Sequence, residues 1–548
     1  MKKLLILIIF LGAFLRYYEL NWDSFHAFHP DERNIAWAVT RIRFFSQMNP
    51  KFFAYGGLPI YLYRALGEIV AAIAHNPAWL SDWGHIAVIG RFVSATLSSL
   101  SILLIYQVGT AFFSSSVGLL SAFLLAFSPW AIREAHFATT ETSLVFFLLL
   151  ILLESRYLAS PQLSSQRGSP FRLGILLGLA TAAKTTGALF TVIPFTAALH
   201  PVFRPIFQFS NFEISPHVRF FFKSLRRVIA CYTKMVIAGG IVFMLLSPFT
   251  ILDWQHFTES MKYESGVALG RFSVPYTLQF LGTVPYFYQL KTMLWQAGPV
   301  AILGMFGLLV LLLRAGRSPR HAALIVFLVF PIIYFLWTGS WFAKFARYNV
   351  PLLPFLTIAA SWLLITIYKK FRLTGLACVA CTACVATLWG LANWTIYLRP
   401  QTRIAASEWI YTNIPAGSLI YTEHWNDGLP VFLPGDPVIA YKRELLNVYD
   451  ADTEEKKKTI IKQLERGDYV ILSTRRIWGT MPKLTDRYPF TSELYRKLLN
   501  GESEYKEVAT FTSYPQLFSI TINDDAAEES IQVFDHPAVR IFQNTKAR

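Results

Sequence analysis

Charge is scarce in this 548-residue chain: Asp, Glu, Lys and Arg supply 15% of it, against roughly a quarter in a soluble domain. That shortage excludes a wholly water-soluble protein. Hydrophobic residues at 54% and aromatics at 16% point to a chain solvated mostly by lipid. Cysteine is almost absent too. The four present, Cys231, Cys378, Cys381 and Cys384, fall in apolar runs, so no disulfide framework is implied. In LACVACTACVATLW the last three have a metal-like spacing, but small residues at every third position are what close helix packing needs. The net charge of +16 comes from short basic clusters between apolar runs, a pattern that orients a membrane protein and does not indicate nucleic acid.

What is present is a series of long apolar runs. Residues 2–15, KKLLILIIFLGAFL, begin like a signal peptide but lack a small-residue cleavage site, so they read as an uncleaved first helix with its lysines in the cytoplasm. Further runs lie near 86–110, 117–133, 141–158, 172–200, 228–250, 296–313, 321–338, 350–368 and 373–395. The 172–200 run exceeds one crossing at about 20 residues, and AAKTTG interrupts it, so it reads as two short helices meeting at Lys184. The expected fold is mainly α, a polytopic bundle of about 11 spans with the C-terminus outside. Loop charge agrees. Arg204, Arg219, Lys223, Arg226, Arg227, RAGRSPRH and YKKFR fall on the cytoplasmic side, whereas Asp23, Asp31, Glu32, Asp82, Glu134, Glu141, Asp253, Glu259 and Glu264 fall outside.

After about residue 396 the pattern becomes that of a water-soluble α/β domain. The domains are therefore expected as 1–395, in the membrane with a first outer loop of about 21–85, and 396–548, extracytoplasmic. RIAASEWIYTNIP and TEEKKKTIIKQLERG read as helices, SLIYTE and DYVILST as strands, and IQVF with VRIF as a strand pair around DHPA. No phosphate-binding glycine fingerprint marks this region as a nucleotide site.

Several ionisable groups share one level at the outer membrane boundary: Asp31 and Glu32 in HPDE, Arg133 through Glu141 in REAHFATTE, Lys184, Glu264 in MKYESG, and Lys344 and Arg347 in FAKFARYNVPLLP. Such groups are costly beside hydrocarbon and usually face a polar cavity. Each has a plainer reading. Asp31 and Glu32 could simply open a helix after Pro30, and Arg133 and Arg347 could anchor the interface. Lys184, set in an apolar run, needs a partner or an anion. His26, His29 and His136 could join carboxylates around a divalent cation, but no ligand spacing indicates one, and no cofactor is assigned. Carboxylates facing cations suit group transfer from a phosphate-bearing lipid: the carboxylate takes a proton from an acceptor hydroxyl, and the cations stabilise the departing phosphate.

HPDE, FAYGGLPIYLY, SPWAIREAHFATTETSLVFF, GLATAAKTTGALFTVIPF and KFARYNVPLLPF occur in that order. This set resembles the GT-C class of membrane glycosyltransferases, in particular the branch of the protein O-mannosyltransferases and the lipid A aminoarabinose transferase. The segments SEWIYTNIPAGSLIYTEHWNDGLP and FDHPAVRIF resemble the tails of bacterial members. The resemblance implies a polyprenyl-phosphate sugar donor, inversion at the anomeric carbon and a bacterial inner-membrane location. It implies catalysis by Asp31, with Glu32 as its acidic neighbour, and it puts Glu141 where relatives often have aspartate. Lys184, Lys344 and Arg347 are assigned to the donor phosphate on charge and topology, with Tyr348, Arg133, His136 and Glu264 as further substrate contacts. The acceptor, whether protein, lipid or glycan, stays open. A transporter or flippase of a lipid-linked saccharide also needs cations and carboxylates in a cavity, but repeated halves with matching broken helices are not seen. A non-catalytic glycan-binding relative is disfavoured by the intact Asp31 and Glu32.

Overall fold

The computed structural model describes residues 1–159, 169–203, 214–315, 321–433 and 440–546. Arg204 and the centre of RAGRSPRH, both assigned above to the cytoplasmic side, lie outside the described residues. The chain is mostly helical with a small sheet region. It divides into two compact units: Met1–Leu20, Pro30–Gly270 and Val284–Leu391 form one, and Asn21–His29, Arg271–Thr283 and Ala392–Arg548 the other.

Among the described residues six helices are long and apolar enough to cross a membrane, or seven if the bent pair Ser115–Ala126 and Pro129–Ala135 counts as one span. Counting every apolar run gives the higher figure of about 11, and the difference has a physical origin. Pro170–Ala183 and Pro299–Ala315 are 14 and 17 residues long, short of the roughly 20 that a full crossing takes. The bent pair turns by 58° at Pro129, which cannot continue the preceding helix's hydrogen bonding. The 172–200 run does break at Lys184, where an extended residue separates Pro170–Ala183 from the 3-10 segment Thr185–Thr191 and the helix Val192–Phe203.

One buried cation organises the start of this unit. Arg16, on the helix Lys2–Tyr17, donates through Nε to Ser98 Oγ at 2.8 Å and through its terminal nitrogens to the carbonyls of Gly12, Leu125 and Ala126. The last two belong to the C-terminal end of Ser115–Ala126, where unsatisfied carbonyls gather negative charge and favour a cation.

The second unit is an α/β fold on a five-stranded sheet. The order is Lys442–Leu446, Leu419–Glu423, Tyr469–Leu472, Val539–Asn544, Tyr505–Phe511, the first three parallel and the rest antiparallel. Period-2 alternation divides the central strands between two cores. Tyr421, Val470, Leu472 and Phe542 pack with Ile460 and Tyr495 on one face, and Ile420, Ile471 and Ile541 pack with Ile410 on the other. The expected helices and strands appear as Thr402–Asn413, Leu419–Glu423, Glu454–Arg466 and Tyr469–Leu472. The IQVF and VRIF strand pair does not form. VRIF enters the sheet, whereas Glu529–Ile531 is a 3-10 turn, because the polar residues around it fold inward to hold a histidine.

That histidine, His536, is buried between two carboxylates, with Asp535 at 2.6 Å from Nδ1 and Asp524 at 2.7 Å from Nε2. Burial alone lowers the pKa of an imidazole, but the two flanking carboxylates outweigh it and raise the value to about 9. A folded-state value above the unfolded one gives stability that is complete below about pH 6.5 and is lost as pH rises through about 9. Full-length protein in detergent is expected to expose the Ala392–Arg548 segment to protease at a lower temperature at pH 9.5 than at pH 6. The His536→Gln variant should be less stable at pH 6 and show a smaller pH difference.

Candidate functional site

Four helix starts, all in the first unit, bring the expected polar residues together. Asp31 sits in the first turn of Pro30–Thr40, and Glu141 is the first residue of Glu141–Ala159, both at helix ends that favour negative charge. Lys184 occupies the break in the 172–200 run, and Arg347 begins the 3-10 segment Ala346–Leu352. The side chains pair across these elements: Arg347 donates to Asp31 at 3.0 Å and Lys184 to Glu141 at 2.8 Å. Asp31 and Arg347 also lie within electrostatic reach of Glu141.

Tyr55 joins the two pairs. Its phenol lies within electrostatic reach of Asp31, and the Lys184 ammonium stands 5.3 Å from its ring centroid, a cation–π distance. Burial, together with the nearby Asp31, raises the phenol's pKa well above its ordinary value, so Tyr55 stays protonated as a donor. The paired glycines that follow explain how it gets there. A Cβ on Gly56 would fall 1.9 Å from the Ala182 carbonyl oxygen and one on Gly57 2.1 Å from that of Leu246. Only glycine therefore lets the first outer loop press against both helix ends, where Gly56 N–H donates to Ala183 O and Gly57 N–H to Ser247 Oγ.

The remaining candidates divide. The Arg347 guanidinium stands 5.8 Å from the Tyr348 ring centroid, and Tyr348 is within electrostatic reach of Asp31 and Glu264. Glu264 is within reach of Arg347, Asp31 and Lys184. Its side chain is exposed, yet surrounding protein raises its carboxyl above the usual range. Lys344 is buried and donates to the Phe342 carbonyl at 2.9 Å. Arg133 pairs with its neighbour Glu134 at 3.1 Å. His136 is buried with both ring nitrogens against backbone carbonyls, of Ile132 at 2.8 Å and Tyr18 at 2.9 Å. Those contacts fasten the chain between Ile132 and Tyr18.

Glu32 departs furthest from the sequence reading. Its carboxylate meets Arg91 in a two-armed pair at 2.9 and 2.6 Å, both side chains fully buried, and accepts the Ala138 N–H at 2.6 Å. Adjacent residues on a helix point about 100° apart, so Asp31 faces the cluster while Glu32 faces the core. Tyr55 and Arg91 were not singled out from sequence, although Tyr55 lies inside the quoted FAYGGLP and immediately before the double glycine. Among the described residues no group of three or more His, Cys, Asp or Glu side chains is arranged to hold a metal. An apolar cavity of about 320 Å3 lies along the helices near Arg347, lined by Met293, Met305, Leu336, Leu352 and Leu356.

Removing one side of a buried pair costs about 3 to 5 kcal/mol. Glu32→Gln should therefore lower the folded yield and thermal stability of the purified protein. Any protein that does fold should lose far less turnover than Asp31→Asn, because Glu32 bears on the cluster only through the helical turn it shares with Asp31. A stable Glu32→Gln protein with strongly reduced turnover would return Glu32 to the reacting groups.

Residues 83–210, which include Glu134, Glu141 and Lys184, match the model of the dolichyl-phosphate-mannose-protein mannosyltransferase family. No curated protein matches the chain in sequence. Among solved structures, the oligosaccharyltransferase AglB from Archaeoglobus fulgidus, in complex with an inhibitory peptide and a dolichol-phosphate, is 15% identical, with 95% of this chain and 75% of that one aligned at a TM-score of 0.50. ArnT from Cupriavidus metallidurans, bound to undecaprenyl phosphate, is 12% identical over 98% of this chain and 97% of its own, at a TM-score of 0.46. The chain thus has the fold of the GT-C membrane glycosyltransferases, and over residues 83–210 it carries the sequence pattern of the mannosyltransferase family.

Proposed function

We propose that the chain is an inverting glycosyltransferase that moves a hexose or pentose from a polyprenyl-phosphate donor to an acceptor hydroxyl at the outer membrane surface. The observation that carries this reading is the convergence of Asp31 with Arg347 and Glu141 with Lys184 around Tyr55. The archaeal oligosaccharyltransferase with the same fold holds a dolichol-phosphate, which supports a donor of that class. The acceptor oxygen attacks the anomeric carbon from the face opposite the phosphate, the carbon–oxygen bond to phosphate breaks, and the acceptor's proton passes to Asp31. The leaving polyprenyl phosphate gains a negative charge as the bond breaks, so Lys184 and Arg347 interact more strongly with the transition state than with the bound donor. Arg347 has five N–H donors, enough to hold Asp31 ionised and also reach a phosphate oxygen. The apolar cavity beside Leu352 and Leu356 suits the first isoprene units.

In this reading residues 1–395 form the membrane transferase and 396–548 an extracytoplasmic domain, in a bacterial inner membrane with the N-terminus inside. The basic-loop bias supports that orientation. In a cysteine-free background, Asn500→Cys should react with an impermeant thiol reagent added outside intact cells. Reaction only after permeabilisation would reverse the orientation.

Asp31→Asn should insert and fold like the parent yet lose about 100- to 10,000-fold in transfer rate, the usual cost of removing a general base. The assay is release of polyprenyl phosphate from a panel of polyprenyl-phosphate sugars with envelope extract as acceptor. Parent-like rates in the variant with every donor that the parent uses would remove the assignment, and transport of an intact lipid-linked saccharide would then fit the site better.

A further inference from the structure

The helical run Ala346–Lys370 starts at the Asp31 cluster and ends at a second polar feature. Arg347 and Lys369 are 22 residues apart on it, about 33 Å at the rise of an α-helix, which is the thickness of the hydrocarbon layer. Lys369 therefore marks the opposite membrane surface. A cavity of about 470 Å3 opens there. The turn after Trp83–Phe112 contributes Phe113, the start of Ser115–Ala126 contributes Val117, the end of Pro299–Ala315 contributes Arg314, and the end of Leu353–Lys370 contributes Trp362, Thr366 and Lys369.

Two cations from separate helices thus converge on one cavity, and among the described residues no carboxylate lines it. Among the described residues neither Arg314 nor Lys369 forms an ion pair, in contrast to Arg347, Lys184, Arg91 and Arg133. The Arg314 guanidinium stands 5.9 Å from the Trp362 ring centroid, and the Phe113 ring lies 6.2 Å from the same ring, so the charged end rests on an aromatic wall. Basic residues at the cytoplasmic ends of spans are ordinary. An open cavity that sets apolar side chains such as Phe113, Leu311 and Trp362 beside two such residues is not explained by that rule, and its chemistry is that of a ligand with an anionic head and a greasy body.

We propose that this cavity binds the headgroup of an anionic glycerophospholipid from the leaflet opposite the Asp31 cluster. The phosphate lies between Arg314 and Lys369, and the glycerol and first chain carbons rest against Phe113 and Trp362. A volume near 470 Å3 accommodates a headgroup with its glycerol, whereas a single isoprenoid chain fits a narrow apolar groove such as the one beside Leu352. The site depends on the membrane placement of the two helix ends and not on the transfer chemistry, so loss of the enzymatic reading leaves it standing.

The test is native mass spectrometry of the purified full-length protein titrated with phosphatidylglycerol or phosphatidylcholine. One phosphatidylglycerol should be retained in preference to phosphatidylcholine. The Arg314→Gln/Lys369→Gln double variant should bind it about 30-fold more weakly, at roughly fivefold per cation, and the charge-preserving Arg314→Lys/Lys369→Arg pair should retain it. If the double variant does not fold, Thr366→Phe, which fills the cavity and keeps both cations, should also lose the lipid. Equal retention of the two lipids, or unchanged binding in the double variant, would overturn the proposal. So would competition by inorganic phosphate at concentrations matching the lipid, or displacement of the bound phosphatidylglycerol by equimolar polyprenyl phosphate.

Discussion

An ionised side chain buried beside hydrocarbon needs polar partners, and the first unit supplies them as backbone carbonyls around Arg16 and as matched ion pairs at four other places. Arg347 meets Asp31, Lys184 meets Glu141, Arg91 meets Glu32 and Arg133 meets Glu134. The cost of an unpaired charge in such a place is several kcal/mol, so the partners fix which helix ends come together. What separates a site from a structural clamp is how fully each pair is enclosed. Arg91 and Glu32 have no exposed side-chain surface, whereas Arg347 and Asp31 keep 26% and 17% of theirs. The open pair leaves side-chain surface that a ligand can reach, and the sealed one does not.

The clamp and the site are built by neighbouring residues. Asp31 and Glu32 share one helical turn, and the core-facing pair with Arg91 holds that turn so that Asp31 keeps its direction. Gly56 and Gly57 do the corresponding work from the other side, since their missing side chains allow Tyr55 to lie between Asp31 and Lys184. Precision at the cluster therefore rests on contacts that touch no substrate.

Much of this was legible in the sequence. Lys184 interrupts an apolar run, and a lysine there asks for a partner, which is Glu141. Arg347, Asp31 and Glu141 were placed at one membrane level by counting spans and loop charges, even though the run count exceeds the number of helices long enough to cross. The two numbers differ where prolines and short helices loosen the relation between apolar length and helix length. The direction of Glu32 was not legible, because two adjacent carboxylates give no sign of which faces the core until Arg91 is seen opposite. For His136 too the sequence showed only a histidine beside polar residues and gave no sign that its ring nitrogens lie against the backbone carbonyls of Ile132 and Tyr18. In the second unit the alternation of Tyr469–Leu472 was readable as a strand, whereas the burial of His536 between Asp524 and Asp535 depends on contacts invisible to any local pattern.

The central claim is that the open ion pairs form a seat for a lipid phosphate, and donor-product affinity tests it most directly. The binding of polyprenyl monophosphate and of the uncharged polyprenol would be compared in the purified parent, Lys184→Met and Arg347→Met. The account predicts that the parent prefers the phosphate strongly and that each variant weakens phosphate binding by about 2 to 5 kcal/mol while leaving polyprenol binding unchanged. Equal affinity of the parent for the two lipids, or phosphate binding that survives in both variants, would contradict it.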